Sequence, residues 1–100
     1  MKFSHVETRY KVTLAPGQAH WTQLGSTDLY ATGAVVVTAA PHVGHGGDLH
    51  VLKVENVNIT RVMKDQGGGI PVGYHAGCNV VNNGKTTIEE WSISVGVIYP

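Results

Sequence analysis

Charge is scarce in this chain. Lys and Arg number 7, Asp and Glu number 7, and charged residues make up 14% of the 100 positions, against about 25% in an average protein. No basic stripe is available to track a phosphate backbone, so nucleic-acid binding is excluded as an expectation. Disorder is excluded as well, since it requires low hydrophobicity with high net charge. Cysteine is limited to Cys78, which rules out an internal disulfide and a paired-cysteine metal site. No apolar run approaches the ~18 residues of a membrane-spanning helix. The opening stretch MKFSHVETRY lacks the apolar core of a signal peptide, so a cytoplasmic protein is expected unless the chain is a fragment of a secreted one. Helical periodicity is missing too, with no stretch carrying apolar residues at i, i+3, i+4 and i+7 over three turns. Near-zero net charge gives little protection against self-association.

What is present is period two. In residues 5–14, Val6, Thr8, Tyr10, Val12 and Leu14 share one face while Glu7, Arg9, Lys11 and Thr13 share the other, as in a half-buried strand. The charges on this strand suit a sheet edge. Ala15-Pro16-Gly17 reads as a turn, followed by a short strand over 19–24 and a loop over 25–33. The valine-rich run 33–40 reads as a strand buried on both faces. In 48–63 the apolar residues change parity, from Leu52 and Val54 to Val57, Ile59 and Met63. That requires a bulge or a corner near Glu55-Asn56. Residues 73–81 are expected to pair with 86–99 as a hairpin across Asn82-Asn83-Gly84-Lys85, because Asn-Gly tolerates φ > 0 at both turn positions. Trp91, Ile93, Val95, Val97 and Tyr99 line one face of the last strand. Six to seven strands in one domain spanning 1–100 predict an all-β, antiparallel β-sandwich.

Two local patterns carry a resemblance. Leu14-Ala15-Pro16-Gly17-Gln18 leading to Trp21 is similar to the L-x-P-G-[EQ] turn of bacterial immunoglobulin-like and fibronectin-III-like sandwiches. Val80-Val81-Asn82-Asn83-Gly84 followed by Ile88 and Trp91 resembles their V-x-N-x-G hairpin. The resemblance implies an immunoglobulin-like fold and a binding or holding role. It assigns no functional residue, because both motifs are turn chemistry. Gly73-Tyr74 with Cys78 departs from the tyrosine corner of true immunoglobulin domains in its spacing and in lacking a second cysteine.

Antiparallel neighbours reverse at each connection, so the turns 15–17, 41–48 and 82–85 should share one end. That end would gather His20, His42, His45, Asp48 and His50, an imidazole and carboxylate set suited to Zn²⁺, Ni²⁺ or Cu²⁺ if three or more groups converge. The competing reading of these histidines is a solvated glycine loop. A divalent metal is the one cofactor the sequence raises.

Catalytic signatures are missing. Glu89 and Glu90 are adjacent on a strand and point to opposite faces. Gly67-Gly68-Gly69 lacks the lysine, serine and helix of a phosphate loop, and no nucleophile elbow or HExxH occurs. Cys78 reads as a small buried hydrophobe, and the Asn58-Ile59-Thr60 sequon lies within a strand. Glycan binding would need exposed aromatic platforms. Trp21 and Tyr30 border loops and are the candidates, whereas Trp91 and Tyr99 follow an apolar face and belong to the core. The leading expectation is a non-enzymatic module acting on a protein partner or on itself as a homo-oligomer. Carbohydrate binding and a histidine metal site are the alternatives.

Overall fold

The computed structural model describes every residue except 26, 47, 48, 66, 69 and 70. Among the described residues the chain is all-β, with six strands and one helical turn. In order these are β1 (Lys2–Tyr10), β2 (Ala19–Gly25), α1 (Leu29–Thr32), β3 (Ala34–Gly44), β4 (Leu52–Val62), β5 (Gly73–Asn82) and β6 (Ile88–Tyr99). They form two three-stranded antiparallel sheets, β1-β6-β3 and β2-β5-β4. No helix among the described residues is long and apolar enough to cross a membrane.

Period two places the core. Trp91, Ile93, Val95 and Val97 point inward from β6 and are buried, as are Ala76, Cys78 and Val80 from β5. The two central strands therefore supply most of one shared interior, joined by Leu14 and Ile88 at one end and Tyr30 at the other. Tyr10 stacks on Trp91 with ring centroids 4.6 Å apart, and its hydroxyl meets Thr22 of the opposite sheet. The Trp91 indole N–H donates to the Val12 carbonyl at 2.9 Å, so its one polar atom is satisfied inside the core.

Several expectations need correction. The first strand does not reach Leu14: β1 runs from Lys2 to Tyr10, and Leu14 is joined to Ile88 only by an isolated bridge. β5 and β6 do not pair, because each is the central strand of a different sheet, and the Asn-Gly connection carries the chain from one sheet to the other. Its turn chemistry serves Asn82 instead. That side chain is 1% exposed, its Nδ2 donates to the Leu14 and Thr86 carbonyls at 2.8 Å, and its Oδ1 accepts the Gly84 N–H at 3.0 Å. β3 is an edge strand buried on one face only. Val35, Val37 and Ala39 turn inward, while Ala34, Val36, Thr38 and Ala40 face out. α1 adds a helical turn within the segment that reads as a loop in sequence.

The parity change in 48–63 is a bulge. The register shifts between Glu55 and Asn58, with Asn56 at φ 53°, and β4 stays in one sheet throughout. Asparagine is among the residues that accept this left-handed backbone.

Candidate functional site

The turns expected at one end do meet there. Gly17 N–H donates to the Asn82 carbonyl at 2.8 Å, Asn83 N–H to Val51 at 2.9 Å, and His45 N–H to Thr87 at 2.9 Å. The histidines they carry are dispersed among separate partners. His42 lies at the register shift in β3, with Nε2 2.8 Å from Ser92 Oγ. His45 Nε2 donates to Glu89 Oε1 at 2.7 Å on the exposed surface. His50 Nδ1 sits 3.1 Å from Thr86 Oγ1. His20 faces inward from β2 and packs its ring edge-on to Trp91 at 5.7 Å. Asp48 lies outside the described residues. Among the described residues no three His, Cys, Asp or Glu side chains come together.

The His42–Ser92 contact has the geometry of a base beside a hydroxyl nucleophile. Ser92 is buried, however, and no carboxylate orients the far nitrogen of His42 among the described residues. The pair acts as a cross-strand hydrogen bond tying β3 to β6 after the register shift at Pro41–Val43. His75, buried on the outer side of β5 over Gly25, donates from Nε2 to the Pro71 carbonyl at 2.9 Å and so anchors the connection before β5. Burial pushes the Cys78 thiol above its ordinary pKa, the opposite of what a nucleophilic thiolate needs. Burial raises the Tyr30 phenol in the same way.

The aromatic candidates separate. Tyr30 is 8% exposed and belongs to the core with Ala76, Val95 and Val97, because α1 turns it inward. It offers no surface platform. Trp21 is 45% exposed and stands on the outer face of the sheet β2-β5-β4. Its ring crosses Gly77, where an added Cβ would lie 2.6 Å from Cζ2. Register places Asn79 and Gln23 beside it, with Glu55 and Asn58 on β4 completing the two rows.

The other sheet repeats the device with different company. Phe3 crosses Gly96, where a Cβ would lie 3.0 Å from its ring, and its neighbours across β6 on that face are Ala34 and Val36. A shallow cavity of about 300 Å³ lies there, lined by Phe3, His5, Val36, Thr38, Ser94 and Gly96. β1 is one of the two edge strands of this sheet. Residues 2–7 are all exposed, including Val6, which faces the interior side yet is 46% exposed.

No family model matches the chain, and no curated protein or solved structure shows significant similarity to it.

Proposed function

We propose that the chain is a non-enzymatic assembly module, an immunoglobulin-like sandwich that pairs with a second copy of itself along β1. The observation that carries this reading is the condition of that strand, which is paired on one side only and exposed over six consecutive residues. A bare edge presents unpaired N–H and C=O groups to another chain. Glu7 and Arg9 stand on one face of it, two residues apart.

An antiparallel pairing with Thr8 opposite Thr8 of the second copy sets Glu7 against Arg9 twice, by symmetry. The same register sets the uncovered Val6 against Tyr10. The charges that discourage pairing with foreign edges thus complement one another across a twofold axis. Each cross-strand pair contributes ~0.2–1 kcal/mol. The joined sheet would run continuously through six strands, and the neutral overall charge does not oppose it.

Sedimentation velocity across a wide concentration range tests this. A dimer that grows with concentration is expected. Arg9→Glu should weaken it about tenfold by replacing two attractive pairs with two repulsive ones. Exchanging both residues, Glu7→Arg with Arg9→Glu, should restore it. A strict monomer at every concentration, or a dimer indifferent to Arg9→Glu, would overturn the reading.

A further inference from the structure

The polar surroundings of Trp21 are unexplained by the ring's cover over Gly77. A ring that only restores packing over a strand glycine needs no hydrogen-bonding neighbours, and Phe3 over Gly96 stacks on His5 of its own strand but has only Ala34 and Val36 opposite it across β6. Trp21 instead heads a row that crosses all three strands through Asn79 to Glu55, with Gln23 and Asn58 in the next row. The bulge in β4 creates this arrangement, because it brings Glu55 and Asn58, an odd and an even position, onto the same outer face. Among the described residues the Trp21 indole N–H and the Gln23 and Asn79 amides have no hydrogen-bond partner. Glu55 is held by Lys53 at 3.1 Å, which leaves its second carboxylate oxygen able to accept.

An exposed indole flanked by free amide donors and acceptors is complementary to a pyranose ring. The C–H-rich face of the sugar covers the ring, and its equatorial hydroxyls exchange water for Asn79, Gln23 and Glu55. Lys53 and Glu55 neutralise one another, so the face has no net charge to select an anionic polymer. We propose that the outer face of β2-β5-β4, centred on Trp21, is a binding platform for a neutral glycan. It is independent of the pairing argued for β1, which uses the opposite sheet. A flat, open platform holds its ligand weakly, so the natural ligand is a polysaccharide that can engage several copies.

The chain's two tryptophans make the test clean, because Trp91 is fully buried and an added sugar can shield only Trp21. Affinity gel electrophoresis would be run in laminarin, hydroxyethyl cellulose, glucomannan and glycol chitin, which are neutral and soluble. Acrylamide quenching of tryptophan emission would be read in parallel with chitohexaose. At least one polymer should retard the protein, and at least one probe should lower the quenching constant about twofold. Trp21→Ala should abolish retardation, Asn79→Ala should weaken it several-fold, and Val36→Ser on the opposite face should leave it unchanged. Trp21→Phe keeps a ring over Gly77 and guards against a folding artefact, with buried Trp91 emission reporting the intact core. Lack of retardation by every polymer, or retardation that survives Trp21→Ala, would overturn the proposal.

Discussion

In each sheet an aromatic side chain from an edge strand lies across a glycine of the central strand, Trp21 of β2 over Gly77 of β5 and Phe3 of β1 over Gly96 of β6. The packing problem is the same twice, since a glycine inside a strand leaves its neighbours without a side chain to touch. The surroundings differ. Beside Phe3 the face carries Ala34, Val36 and Ile98 with His5 stacked on the ring and Thr38 and Ser94 a row further on, and beside Trp21 it carries an unbroken polar set, Gln23, Asn79, Asn58 and Glu55. The shared part of the comparison is therefore structural, and the part that differs is where function should be sought. A ring alone says little until its register partners are known.

The largest effect tests what the two sheets have in common. Asn82 joins them, accepting from Gly84 and donating to Leu14 and Thr86 while almost wholly buried. Asn82→Ala strands one buried and one partly buried carbonyl and should cost about 2–4 kcal/mol in urea denaturation. A loss below about 1 kcal/mol would mean water replaces the amide, and that the turn is not what locks the sheets together.

Parts of this fold are legible in the amino-acid sequence by itself. Strict alternation identifies the inward row Trp91, Ile93, Val95 and Val97, and the parity change identifies the bulge beside Asn56. Strand partners are not legible, because pairing is non-local and the Asn-Gly signal speaks only for its own few residues. Asn82 reads as a turn residue in sequence, and nothing there shows its side chain reaching Leu14, 68 residues away. Trp21 reads as a loop neighbour, since the glycine beneath it comes from β5. Tyr30 reads as equally available, but a single helical turn is enough to bury it. Counting chain reversals places the histidine end correctly, while the individual hydrogen bonds that disperse its imidazoles depend on side-chain geometry.

A smaller effect sharpens the contrast between the two rings. Both glycines lack the positive φ that would exclude alanine. A Cβ at Gly77 would meet Cζ2 and Cη2 of Trp21 at 2.6 and 2.9 Å, whereas one at Gly96 would meet Phe3 at 3.0 and 3.1 Å. Gly77→Ala should therefore lift the indole off the sheet and cost about 1–2 kcal/mol, with a red shift in Trp21 emission. Gly96→Ala needs the phenyl to give by only a few tenths of an ångström. The reduced freedom of the unfolded chain offsets that cost, so its stability should stay within about 0.5 kcal/mol of the parent. The reverse order would show that Phe3 and not Trp21 is the tightly seated ring.

The smallest effect lies in alkali and probes the two ends of the interior that the sheets share. Cys78 sits in the core around Trp91, Tyr30 in the core around Val95 and Val97, and burial raises the pKa of both groups. A group whose folded pKa is raised stabilises the protein fully below its unfolded value, and that contribution is lost as pH climbs through the folded one. The urea midpoint should therefore hold near neutrality, decline around pH 8.5 as the unfolded thiol ionises, and decline again around pH 10 as the phenol joins it. Cys78→Ala should remove the first decline and Tyr30→Phe should reduce the second, each against its own neutral-pH baseline. A first decline that persists in Cys78→Ala would place the alkaline sensitivity outside the Trp91 end of the core. A midpoint that stays level through pH 10.5 would mean that both groups ionise in the folded protein as readily as in the unfolded chain, and that the sheets part there far more easily than their burial implies.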